Sequence, residues 1–230
     1  MLTWIPTAAD AAQSASACFA IAGARSRTEV ERARLDYAKL PVSDFTRATD
    51  VKRLSLLRIT DQSAREWILS PPRGCDLNTL NSSMSDPAIK SLVGFLVETD
   101  RWDQAALHQI LDRIGWPTIS GYGVEADRTA FLIVQHALND PPWQRSILAR
   151  LEKLLGRRET SGENYALLFD RVQVAAGLPQ TFGSQGECHG ASWEPDPIED
   201  AANVDKRRAT LGMPGMSEYR RTVSSTYCHH

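Results

Sequence analysis

Gln135 and His136 close the most apolar helical stretch of the chain, Ala130–Val134. A polar pair in that position has to be satisfied by hydrogen bonds or face a cavity. His136 and Asp140 are four residues apart and share one face if the helix persists. An imidazole beside a carboxylate suits a general base with its orienting group, or two ligands of a metal. The same residues also suit a helix-terminal histidine favoured by the dipole, next to an N-cap aspartate. Gln144 follows beyond Pro141-Pro142. A second polar pair, Asp170-Arg171, interrupts the apolar run ALLFDRVQVAA at 166–176. Helix neighbours point about 100° apart, so at least one of the two enters the interior and needs a partner. A core ion pair is one reading; an arginine that clamps an anion or carboxylate is the other. Gln180 and Gln185 flank the glycine turn QTFGSQ and could hold a polar ligand through paired donors and acceptors. Asp61 and Arg65, with Gln62 between them, read as a surface i, i+4 pair of little weight.

Mostly helices must position these groups. Leu54, Leu57, Ile59, Trp67 and Ile68 have helical spacing and stop before Pro71-Pro72, and Arg73–Ser85 reads as a connection. Asp86-Pro87 is an N-cap with proline at the first helical position, opening a helix through Leu92, Val93, Phe95 and Leu96. A separate helix is expected at Trp102–Ile114, closed by Gly115-Trp116-Pro117 and followed by a loop over 118–123. The helix carrying His136 runs from Val124 to about Leu138. The next begins after Asp140 as N-cap, with Trp143, Ile147, Leu148, Leu151, Leu154 and Leu155 as its apolar stripe. Glu163–Ala176 is a further helix. Thr181–Ser184 and Ala191–Glu194 are expected to pair as a β-hairpin. The fold class is therefore mainly α: a helical domain with a small β-hairpin and an irregular C-terminal tail.

Composition narrows the function. The 26 basic and 28 acidic residues leave −2, which removes the global argument for nucleic-acid binding. The few aromatics are interleaved with no basic stripe, so single strands are not an expected partner either. No run of about 18 apolar residues is present, so a membrane partner is not expected. Cys18, Cys75, Cys188 and Cys228 form no CxxC pair; reduced thiols in a cytoplasmic protein are the simplest expectation, and one or two disulfides in an exported protein are the alternative. A multi-histidine metal centre would have to recruit His108 or His189 beside His136, and no spacing supports it. No P-loop, GxGxxG, HExxH or GxSxG is present, so the motifs leave the cofactor unknown. Residues 25–53 hold eight basic and five acidic residues, whereas 187–205 hold six acids and no Lys or Arg before Lys206, Arg207 and Arg208. The acidic stretch reads either as a solvated face or as a wrap that pairs the arginines with core carboxylates.

Six blocks in order carry a resemblance: DQSAR at 61–65, GWPT at 115–118, QHALND at 135–140 with Gln144, LLFDRV at 167–172, PQTFGSQ at 179–185 and PIEDAANVDKRR at 197–208. Together they resemble a bacterial domain-of-unknown-function family with DQ…R, GWP, QHAD-x-D-xx-Q, L-x-DRV, PQ-x-YGTQ and PIED…VD-x-RR blocks, over residues 55 to 219. Leu138-Asn139 departs from the pattern and removes one carboxylate, while Phe182 and Ser184 stand for Tyr and Thr. The resemblance implies a site rather than an activity. The expected organisation is an N-terminal extension over 1–53, a mainly α domain over 54–221 and a tail over 222–230. The leading functional expectation is an enzyme acting on a small polar molecule, by hydrolysis for example. His136 would be the base, Asp140 or Asp170 its orienter, Arg171 an anion clamp, and Gln135, Gln144, Gln180 and Gln185 substrate contacts. The alternative is a non-catalytic binding or interaction module in which these residues form a buried structural network.

Overall fold

A computed structural model of the chain describes residues 8–69 and 86–228. The expected connection at 73–85 and the histidines 229 and 230 lie outside the described residues. Three long helices build one end of the molecule: α1 (Ala8–Ala38), α2 (Arg47–Leu69) and α3 (Pro87–Ile114). Phe19, Ala22 and Val30 of α1 pack on Ala64 and Trp67 of α2 and on Ile89, Leu92 and Phe95 of α3. Most of the N-terminal extension expected over 1–53 is thus one unbroken helix, Ala8–Ala38, that ends just short of Pro41.

Asp86 caps α3 as expected, accepting from the N–H of Ala88 at 2.7 Å, with Pro87 at the first turn. The two helices expected over 87–114 are a single one. Val97–Arg101 contains neither glycine nor proline, so nothing stops the helix before Gly115, whose φ of 71° ends it. A second apolar cluster joins Leu54 and Leu57 of α2, Leu107 and Ile110 of α3, and residues of the following helices. Helix α3 therefore runs through both clusters.

The expected loop at 118–123 contains a short turn of helix, α4 (Ile119–Tyr122), capped by Thr118. Helix α5 (Val124–His136) stops at His136 rather than Leu138. Helices α6 (Pro141–Leu155) and α7 (Gly162–Ala175) complete the second cluster with Ile147, Leu151 and Leu168. The hairpin is present, but its strands are β1 (Gly186–His189) and β2 (Ser192–Pro195), with Gly186 opposite Pro195. Thr181–Ser184 cannot supply the first strand, because the N–H groups of Thr181, Phe182 and Ser184 are taken by Asp170.

The tail is ordered into a 3-10 turn (Ala201–Asn203) and two helices, α8 (Val204–Thr210) and α9 (Met216–Tyr227). Trp193 of β2 donates its N–H to Ser224 of α9 at 2.9 Å and packs edge-on against Tyr219. A disulfide joins Cys188 to Cys228, and Cys18 is also disulfide-bonded. The expectation of reduced thiols is overturned: β1 and the end of α9 lie side by side, bringing together cysteines 40 residues apart. No helix among the described residues is long and apolar enough to cross a membrane.

Candidate functional site

His136 is the last residue of α5, and its Nδ1 lies 2.6 Å from Oδ1 of Asp61 on α2. The same oxygen accepts from Arg65 at 2.9 Å, and Oδ2 accepts from Gln62 at 2.7 Å. The second guanidinium nitrogen of Arg65 donates to Asp100 of α3 at 2.6 Å. A charged chain, His136–Asp61–Arg65–Asp100, thus ties three helices together. The i, i+4 spacing of Asp61 and Arg65 makes one helix face present both groups. This pair is not on the surface, since Asp61 is only 1% exposed.

Burial alone would raise the Asp61 carboxyl. The charge and hydrogen bond of His136, the Arg65 guanidinium and the Gln62 amide outweigh it and hold Asp61 below its ordinary value. Asp61 is therefore a carboxylate at neutral pH, and His136 directs its Nδ1 proton to it. The other ring nitrogen, Nε2, has no hydrogen-bond partner among the described residues, and the side chain is 19% exposed. Asp100 moves the other way. Burial raises it and the Asp61 charge adds to that, with Arg65 opposing.

Asp103 stands behind the pair, in contact with the Thr60 hydroxyl. Burial pushes its carboxyl well above the usual range, and the charges of Asp61 and Asp100 push in the same direction against Thr60 and Arg34. The proton accounting agrees. Thr60 lies 2.8 Å from the Leu57 carbonyl, to which its hydroxyl donates, so a protonated Asp103 can donate to Thr60. Gln135, beside His136, has a buried Oε1 with no partner.

The remaining predicted residues do not join this cluster. Asp140 caps α6, accepting from Trp143 N at 3.0 Å, because α5 ends before the chain could place it on the His136 face. Gln144 donates to the carbonyls of Val134 and Gln135 at 3.0 and 3.2 Å, closing the C-terminal turn of α5. Asp170 holds the turn at 181–184 through three backbone N–H groups at 2.8–2.9 Å. Asp170 and Arg171 form no ion pair with each other; Arg171 has a buried Nε without a partner, and burial lowers its pKa. Gln180 closes the same turn on itself. Its Oε1 accepts from Gln185 N, and its Nε2 donates to the carbonyls of Gln185 and Asp196, each at 2.8 Å. The Gln185 amide contacts Ser184 Oγ at 3.1 Å.

The tail arginines bond the carbonyls of this turn rather than core carboxylates. Arg207 donates to Thr181 O at 2.8 Å and Arg208 to Phe182 O at 2.6 Å. Arg208 is fully buried and lies over the Tyr219 ring, whose hydroxyl burial pushes up to about 12. Gly183, with φ at 69°, is confined between Met216 and Ile198, so a side chain there would collide with both.

Sequence reasoning passed over Asp61, Asp100 and Asp103 as site residues, although a signal was present. Asp61 falls in the buried series Leu54, Leu57, Asp61, Ala64, and Asp103 in the series Phe95, Thr99, Asp103, Leu107. An acid on the apolar stripe of a helix needs a partner, and here the partners are one another and His136.

The fold and site define a mainly α protein with a buried aspartate–histidine pair at the junction of three helices. A family model described as a family of unknown function, DUF6624, matches residues 80–230, well over half of the chain, and the chain belongs to that family. His136, Asp100 and Asp103 lie inside the matched stretch, and Asp61 and Arg65 precede it. No curated protein and no solved structure matches the chain.

Proposed function

We propose that the chain is an enzyme acting on a small polar molecule by proton transfer, hydrolysis being the reaction such a base serves most directly. His136 Nε2 is the general base. Asp61 takes the orienting role first expected of Asp140 or Asp170, and Arg65, held by Asp100, fixes Asp61. One observation carries this reading: the 2.6 Å contact from Nδ1 to a buried, ionised carboxylate, with Nε2 left unpartnered. An imidazole so held presents its lone pair outward with its tautomer set. Gln135, with its unpaired Oε1, is the nearest candidate for a substrate contact. Gln144, Gln180, Gln185 and Asp170 have their hydrogen bonds inside the fold and support a structural role instead.

The test is a turnover screen with chromogenic carboxylic, phosphoric and amide substrates, comparing the parent with His136→Gln and Asp61→Asn. A general base contributes about 10²–10⁴-fold, so His136→Gln is expected to lower kcat by that factor, while its amide can still donate to Asp61 and circular dichroism should show the chain folded at the assay temperature. A parent inert on all three classes, or a His136→Gln variant as active as the parent, overturns the proposal. The cysteines also bear on where the protein works. The Cys188–Cys228 bond and a disulfide at Cys18 support an oxidising compartment rather than the cytoplasm.

A further inference from the structure

His136 is the last residue of α5, and helix ends are where local opening starts. An imidazole carried there keeps one direction only if groups outside the helix hold the end. Asp61 holds the ring from α2, and Gln144 of α6 takes the carbonyls of Val134 and Gln135. Beyond His136 the chain turns a tight corner. Leu138 N donates to the His136 carbonyl at 2.8 Å, and Asp140 N to the Ala137 carbonyl at 3.0 Å. A buried glutamine ties this corner to the third helix: Gln104 Nε2 of α3 donates to Asn139 Oδ1 at 3.1 Å. Gln104 is buried, so its amide sits where an unmade hydrogen bond is costly.

Asp100, Gln104 and His108 follow one another at i, i+4 along α3, on one face and about 6 Å apart per step. Each grips a different part of the same junction. Asp100 accepts from Arg65 at 2.6 Å, and Arg65 in turn holds Asp61 at 2.9 Å. Gln104 takes Asn139. His108 stacks on Trp143 in the first turn of α6, with ring centroids 4.1 Å apart. The contacts close a ring: from His136 through Asp61, Arg65 and Asp100 to α3, along α3 to Gln104, and back through Asn139 to the corner that follows His136. We propose that Gln104 is a positioning residue for His136: through Asn139 it pins the corner and so fixes the direction of Nε2. Held at Nδ1 by Asp61 and at its backbone by the pinned corner, the imidazole has one seat. With the Gln104 link cut, the corner is left to the Asp61 contact and the Gln144 cap, and the ring gains freedom to leave Asp61. The proposal rests on the reading of His136 as the base and adds what aims it.

Nitrogen-15 NMR of the imidazole in the full chain tests this without a substrate. The spectrum is taken where the ring is neutral, and the His136 signals are those that disappear in His136→Gln. The parent is expected to show a protonated Nδ1 and a bare Nε2, two widely separated shifts of a single tautomer. Gln104→Leu removes the donor. Asn139→Ala removes the acceptor at an exposed position, where the interior is left intact. In both, the two shifts are expected to draw together as the released ring is populated about three- to tenfold more, the factor one net hydrogen bond is worth. The double variant should go no further than either single one, because both cut the same contact. Asp170→Asn, which weakens the 181–184 turn and not this corner, should keep the parent shifts. Unchanged shifts in either single variant, a double variant that adds the two effects, or an equal change in Asp170→Asn would each overturn the role of Gln104 while leaving His136 as the base. Parent shifts already drawn together would overturn the base itself, and the positioning role with it.

Discussion

Replacing Asp170 by alanine removes the acceptor of three backbone N–H groups at once, and those of Phe182 and Ser184 are buried. Each buried donor left without a partner costs about 1–3 kcal/mol, and the more accessible Thr181 N–H can turn to water, so Asp170→Ala should cost about 2–6 kcal/mol. That is a large part of a typical total of about 5–15 kcal/mol. Asp170→Asn keeps one carbonyl oxygen for Thr181 and Phe182 but sets its amide N–H against that of Ser184, so its cost should fall between parent and alanine. Urea unfolding followed by tryptophan fluorescence, with the slope checked for constancy, measures these differences. Because Asp170 and Arg171 form no ion pair, a double-mutant cycle between them should give coupling below about 0.5 kcal/mol. A loss under about 1 kcal/mol for Asp170→Ala, or strong coupling to Arg171, would refute the assignment of Asp170 to the turn.

Four further expectations concern pH, the disulfide and the capping glutamine. Asp103 is raised on folding, so its contribution is most favourable in acid and declines as pH climbs from the ordinary Asp range through its folded value. Asp103→Asn, whose amide can still donate to Thr60, should therefore gain on the parent as pH rises; a difference that is flat or reversed would contradict it. Asp61 is lowered, so its contribution is full above its unfolded value and is lost as pH falls through the folded one. The penalty of Asp61→Asn should accordingly be largest at neutral pH and shrink in acid, as read from denaturation midpoints. Closing the 40-residue separation between Cys188 and Cys228 is worth about 4 kcal/mol in the chain-entropy account. Reductant, or Cys188→Ser with Cys228→Ser, should lower the unfolding midpoint, and unchanged stability would count against a structural role for the bond. Gln144→Leu leaves the carbonyl of Gln135 unpaired, while Val134 O keeps the Ala137 N–H, and should cost about 1–3 kcal/mol by urea unfolding.

The helices were legible because their ends are written in local chemistry. Asp86-Pro87, Gly115 and Asp140 act on neighbours a few residues away, and each stands where a helix starts or stops. The division of the third helix was an error of the opposite kind, a boundary assumed where no residue enforces one. The site was half legible. His136 and Gln135 stood out as polar groups after an apolar run, but the histidine's partner is 75 residues away, and spacing along the chain cannot reveal it. Asp140 attracted the assignment because it is near in sequence, whereas the helix end at His136 diverts it to a cap. The hairpin's first strand was misplaced for a related reason. Asp170, on another element, takes the N–H groups that a ladder would have used.

Helix α3 spans 28 residues, about 42 Å, and carries Asp100 and Asp103 near its middle, far from either fraying end. His136, by contrast, is the terminal residue of its helix. The proton-handling group is thus carried on a segment where local opening begins, and the carboxylates behind it sit on one of the segments where amide exchange should be slowest. Asp61, which the imidazole contacts, likewise lies inside α2, so amide exchange should be faster at the end of α5 than around any of these carboxylates.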